Sequence, residues 1–149
     1  MLTDKFTYSI DDTFTAVTEA EQADASDPKK IAHSRADAVT LTPATVANLI
    51  GSVSALTSGS HTYTVQDSLD NLSNTSTANL ASLLAKASSI KIADSDGNLV
   101  TVDADDSGNR DKFNQIVTYA SDSSTSPATA RPITASITGK GASLLDSSN

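Results

Sequence analysis

Between Ala38 and Val102 the chain switches its hydrophobic period every few residues, and this switching limits the fold more than any other feature of the sequence. The segments are AVTL, TPATVANLIGSVSAL, HTYTVQDSLDNL, TANLASLLAKA and SIKIADSDGNLVTV. Short runs with β-type alternation are followed by runs whose apolar residues recur at three and four positions, the spacing of one helix face. No stretch is long enough for a large sheet or a long bundle helix. The pattern predicts an α+β fold, with a mixed α/β arrangement as the variant, in which short helices pack on a small sheet.

Within this span Ala38 to Leu41 reads as a strand. Thr42 followed by Pro43 reads as a helix start, with a hydroxyl cap and proline in the first turn. Val46, Leu49, Ile50, Val53 and Leu56 then form one stripe, and Gly59 ends the helix. Thr62 to Val65 is a second strand, and Asp67 caps a short turn that points Leu69 and Leu72 inward. A further helix over Ala78 to Ala87 carries Leu80, Leu83 and Leu84. Ile90 and Ile92, then Asp96-Gly97, then Leu99, Val100 and Val102 give a hairpin signal. Phe113, Ile116, Val117 and Ala120 place another helix over Asp111 to Ala120.

The flanks are more polar. Phe6 to Ile10 alternates like a strand, whereas Thr18 to Lys30 suggests a short helix at most and then a loop broken at Pro28. From Ser121, SDSSTSPATARP reads as an exposed linker, PITASIT as an edge strand that opens with Pro132, and GKGASLLDSSN as a tail. The expected organisation is an N-terminal strand and polar arm over 1–37, a folded module over 38–122, and a linker, edge strand and tail over 123–149. AVTLTPATVANLI can be laid over LVTVDADDSGNRDKFNQIV, which suggests a duplicated strand and helix unit.

Composition narrows the function classes. Hydrophobic residues make up 38% of the 149 and aromatics 4%, without Trp, so the core must be built mainly from Ala, Val, Leu and Ile. A net charge of -8 opposes binding to nucleic acid, and no basic cluster offsets it. The absence of cysteine excludes disulfides, thiolate catalysis and Cys-based zinc sites. No window resembles a signal peptide or a membrane span.

The acid groups are almost all Asp, a residue of turns, caps and oxygen-ligand loops. In DADDSGNRDKFN, Asp103, Asp105, Ser107 and Gly108 fall at EF-hand positions one, three, five and six, although Asn114 stands where a bidentate carboxylate is needed. Asp103, Asp105, Ser107 and Asp111 are therefore the candidate calcium ligands, with a solvated loop as the default. Asp94, Asp96 and Asn98 are accounted for by an Asp-Gly turn. His33 and His61 are the only histidines, and the adjacency of Ser60 and His61 does not make a nucleophile and base pair. No serine lies in a G-x-S-x-G elbow, and the glycines at 139 and 141 lack phosphate-loop spacing. No enzymatic residue is singled out, and no cofactor other than calcium is implied.

Val65, Asp67, Ser68, Asn71 and Leu72, followed by Ile90, Ile92 and Asp94, match a pattern of V-x-D-(S/T)-x-x-N-L, a Leu/Ala-rich helix and an I-x-(V/I)-x-D strand. This run resembles a repeat module of large bacterial surface and RTX-type secreted proteins. Here it occurs as one full copy, without the Gly-Gly-x-Gly-x-Asp nonapeptides of calcium-binding tracts. The resemblance implies a secreted or surface-exposed stacking or adhesive module, and a single copy also fits a phage virion accessory protein. The expectation is a non-enzymatic structural protein at a virion surface or at a cell surface. Its partners would be copies of itself, as a homo-oligomer, or a coat or surface-layer protein.

Overall fold

The computed structural model describes residues 8–36, 38–58, 62–122 and 129–139, and these form an α+β fold of short helices and small, mostly parallel sheets. The chain divides into two compact units, one of residues 1–42 and 61–63, the other of residues 43–60 and 64–149.

In the first unit, strand β1 (Ser9–Asp12) leads through α1 (Phe14–Gln22) and α2 (Pro28–Arg35) to β2 (Ala38–Leu41). The two strands pair in parallel, with Ser9 opposite Ala38 and Asp12 opposite Leu41. Each helix starts where a side chain can take up an orphan N–H of the first turn. The Thr13 hydroxyl accepts from Ala16 N at 3.2 Å, and the Asp27 carboxylate accepts from Lys29 N at 2.7 Å with Pro28 in the first turn. Val17 and Ala20 supply the buried side of α1. The sequence reading allows one short helix and a loop over 18–30. Two helices form there because caps and tertiary packing outweigh weak local propensity.

The second unit begins with α3 (Val46–Leu49), a 3-10 turn (Ile50–Ser52) and α4 (Val53–Ser58). It continues through β3 (Thr64–Asp67), α5 (Leu69–Leu72), α6 (Leu80–Lys86) and β4 (Ser89–Ile92). Then come β5 (Thr101–Asp103), α7 (Ser107–Ala120), β6 (Ser121–Asp122), β7 (Thr129–Ala130), β8 (Ile133–Thr134) and β9 (Ser136–Thr138). β3, β4 and β8 form a parallel sheet in that order, β5 pairs in parallel with β9, and β6 pairs antiparallel with β7. Val65, Ile90 and Ile92 are buried on the strands, with Leu72, Leu80, Leu83, Leu84 and Ile116 on the helices. Thr64, Gln66, Ser89 and Lys91 alternate with the buried strand residues and are only partly covered. One face of this sheet therefore carries the core.

Three boundaries differ from the sequence reading for identifiable reasons. Thr45, not Thr42, caps the first helix of the second unit, because Ala44 still pairs in parallel with Val65 and keeps the chain extended past Pro43. Helix α7 starts at Ser107 because the Asp106 carboxylate accepts from Asn109 N at 3.0 Å. Asp96-Gly97 does form a turn, with Gly97 at φ +83°, but β4 and β5 are not the two arms of a regular hairpin. Only Ala93 and Leu99 bridge, while Ala93 N donates to Asp67 O and Val100 N to Ile92 O. The turn is an excursion between two strands that each pair in parallel elsewhere. Gly59, expected to end α4, and the tail beyond Gly139 lie outside the described residues.

The two overlaid segments carry a strand and then a helix, β2 with α3 and β5 with α7, and a second similarity lies elsewhere. TYSIDDTFTAV and TYTVQDSLDNL open two strand, helix, helix, strand arrangements, β1 to β2 and β3 to β4. Both strand pairs are parallel and four residues long, and each first strand ends in an aspartate followed by a hydroxyl cap.

Candidate functional site

Asp67 is the one buried charged residue among the described residues, with 8% of its surface exposed. The alternation of β3 turns it to the same side as Val65. A carboxylate enclosed this way must have donors around it. Oδ2 accepts the N–H of Val46 at 2.9 Å, while Oδ1 accepts the N–H of Ser68 at 2.8 Å and the amide Nδ2 of Asn71 at 2.7 Å. Three segments, the start of α3, the end of β3 and α5, thus meet on one side chain.

The local sequence dictates this arrangement. Ser68 accepts from Asn71 N at 3.2 Å and so caps α5, which places the Asn71 side chain one helical turn above Asp67. Leu72, the next residue, is fully buried. Every residue of the Val65, Asp67, Ser68, Asn71, Leu72 pattern therefore has a structural task. The sequence reading makes Asp67 the cap. The structure gives that role to Ser68 and makes Asp67 the buried acceptor one position earlier.

An open cavity of about 270 Å³ borders this carboxylate, lined by Val46, Ala47, Ile50, Asp67, Asn71 and Thr77. No basic residue lines it. Asn71 is exposed and Thr77 half-buried, so both open to solvent as well as to the cavity.

In the first unit Asp12 occupies the position equivalent to Asp67. Its Oδ1 accepts Thr13 N at 2.8 Å, and its Oδ2 lies 3.5 Å from His33 Nε2. His33 Nδ1 is enclosed and without a hydrogen-bond partner. His33 lines a mainly apolar cavity of about 280 Å³ together with Val17, Ala20, Val39, Glu21, Lys30 and Ser34. Lys30 Nζ is already held by the carbonyls of Glu21 and Ala23 at 2.8 and 2.9 Å. Ser34 donates to Ile31 O at 3.0 Å.

The four candidate calcium ligands are spread along the end of β5 and the start of α7. Asp103 Oδ1 accepts Asp105 N at 2.9 Å, closing a turn, while Ser107 and Asp111 lie on exposed positions of α7. Among the described residues no three His, Cys, Asp or Glu side chains gather closely enough to hold a metal ion. At the other turn, Asp94 accepts from Asp96 N at 2.9 Å and Asn98 N at 2.8 Å. These bonds, led by the one from Asn98, hold its carboxyl below the ordinary value of 3.8. Lys112 meets Asp70 at 2.6 Å between α7 and α5, and this hydrogen bond and charge raise the Lys112 ammonium above its usual value.

Leu99, Val100 and Ile137 are exposed at 44%, 39% and 41%. Leu99 and Val100 lie just before β5, and Ile137 lies on β9, the strand paired with β5, opposite the buried Val102. No helix among the described residues is long and apolar enough to cross a membrane. In comparisons with known proteins, no family model, curated protein or solved structure matches the chain.

Proposed function

We propose that this chain is a non-enzymatic structural or accessory protein exposed on an extracellular particle, a virion decoration or fibre-type component that assembles with copies of itself or with a coat protein. The observation that carries the reading is the exposure of three large apolar side chains, Leu99 and Val100 before β5 and Ile137 on its partner β9, on an otherwise strongly acidic molecule. Apolar surface of this kind gains most when a protein contact covers it. The engagement of the polar side chains is in keeping with this. Asp12, Asp67, Asp94, Asp103 and Asp106 all accept main-chain N–H groups, a use that builds turns and caps.

Sedimentation over a concentration series tests the assembly. The expected result is a concentration-dependent oligomer, or co-purification with particles in fixed ratio to a coat protein, that weakens when Val100 and Ile137 are both changed to Ser. A stable monomer at all concentrations that also fails to co-purify would overturn the reading. A second reading, a secreted or cell-surface adhesin or surface-layer module, draws on the complete use of the Val65 to Leu72 pattern as a strand, cap and helix unit. It predicts recovery from the culture supernatant or cell envelope in place of particles.

A further inference from the structure

We infer that the cavity beside Asp67 binds a primary alkylammonium group, the chemistry of a lysine side chain or a free alkylamine. A carboxylate has room for about four hydrogen bonds. Asp67 receives three, from Val46, Ser68 and Asn71, so one acceptor direction remains. Asn71 has turned its amide nitrogen to Asp67, which leaves its carbonyl oxygen open to a donor from the cavity or from solvent, and Thr77, which lines the same cavity, brings a hydroxyl oxygen as the third. An ammonium carries three donors and no acceptor, which matches three oxygens around a single negative charge. Val46, Ala47 and Ile50 supply apolar wall for an alkyl stem.

Competing ligands fit less well. A divalent cation of the calcium type takes six to eight oxygens, about twice what the lining offers, and it favours more than one carboxylate. An anion would meet Asp67 with no basic residue beside it. A neutral alcohol could satisfy one acceptor and would leave the charge unmatched.

The test is a titration of the full-length protein, labelled with nitrogen-15, with n-butylammonium chloride, and with n-butanol and sodium chloride as controls. Saturable amide shifts centred on Val46, Ala47, Asn71 and Thr77 are expected with the amine and not with either control. The side chain of Nα-acetyl-lysine methylamide should give the same shifts if a peptide lysine is accepted. If it fails where butylammonium succeeds, the site takes free amines only. Thr77→Val removes one acceptor from the surface of the site, and it should weaken binding roughly three- to tenfold with Asp67 and its donors in place. No saturable shift at these residues, equal shifts with butanol, or undiminished binding by a folded Thr77→Val protein would each overturn the inference.

Discussion

The Oδ2 atom of Asp67 accepts the main-chain N–H of Val46 at 2.9 Å, tying the last residue of β3 to the first residue of a helix that precedes it in the chain. Its other oxygen is engaged by Ser68 and Asn71. Replacing Asp67 by Ala leaves the Val46 N–H without its acceptor in a buried setting and frees the Asn71 amide. The expected cost is about 2–4 kcal/mol, the range for orphaned buried donors that had bonded a charged group. Urea denaturation followed by circular dichroism should show a lower midpoint with an unchanged slope. A loss below about 0.5 kcal/mol, the scatter of neutral surface changes, would mean that Asp67 is not the hub described.

Thr13, Thr45, Ser68 and Asp106 each accept an N–H three residues on, from Ala16, Asn48, Asn71 and Asn109. Substituting any one by Ala should cost about 1 kcal/mol, and by Gly a few tenths. Thr42→Ala, at the position where the sequence alone places the cap, should cost less than Thr45→Ala. Equal losses at 42 and 45 would count against the observed helix start.

How much could be read from the sequence follows from which residues report on themselves. Leu80, Leu83 and Leu84 announce a buried helix face by spacing, and the structure places them at the core on α6. The same holds for Ile90 and Ile92 on β4 and Ile116 on α7. Thr45 does not announce itself, since its role depends on Ala44 pairing with Val65, a contact about twenty residues away in sequence that no local pattern contains. Asp67 looks like a cap because Asp usually is one. Its burial follows from the phase of β3, which the sequence reading ends at Val65, so that Asp67 falls two residues beyond the expected strand although it lies in phase with it. Asp96-Gly97 reports a turn correctly but says nothing about which strands its neighbours pair with. The α1 and α2 region is polar enough to read as an arm, and its helices rest on caps and on the pairing of β1 with β2.

Leu83 is fully buried on α6, whereas Val117 is 40% exposed on α7. Leu83→Ala should remove about 2–5 kcal/mol through lost burial and the cavity left behind. Val117→Ala should fall within about 0.5 kcal/mol of zero. Thermal melts of the two variants check both, and a Leu83→Ala protein as stable as the parent would place the core elsewhere.

Asp94 gives a pH dependence whose sign can be fixed. Its carboxyl lies below the ordinary value of 3.8 in the folded protein, chiefly through the Asn98 N–H. The unfolded chain therefore binds a proton more readily at this group. The associated stabilisation is present above about pH 4 and is lost as pH falls through the folded value. The Asp94→Asn protein should show a shallower decline in melting temperature over that acid range. A carboxyl carbon titration should place the Asp94 midpoint below 3.8, and a midpoint at or above it would refute the turn geometry.

Calcium provides the last test, at the loop joining β5 to α7. Asp103 Oδ1 is engaged by the N–H of Asp105, and Asp106 Oδ1 by the N–H of Asn109. Of the candidate ligands, Asp103 would have to share or give up its bond to the Asp105 N–H, while Ser107 and Asp111 stand on exposed positions of α7 behind the Asp106 cap. Since calcium needs six or more oxygens held together, occupancy would require a rearrangement of the start of α7. The expected outcome is an unchanged melting temperature in millimolar calcium. A rise that a chelator reverses, and that Asp103→Asn and Asp111→Asn remove, would instead assign Asp103, Asp105, Ser107 and Asp111 to a cation site and favour the secreted-module reading.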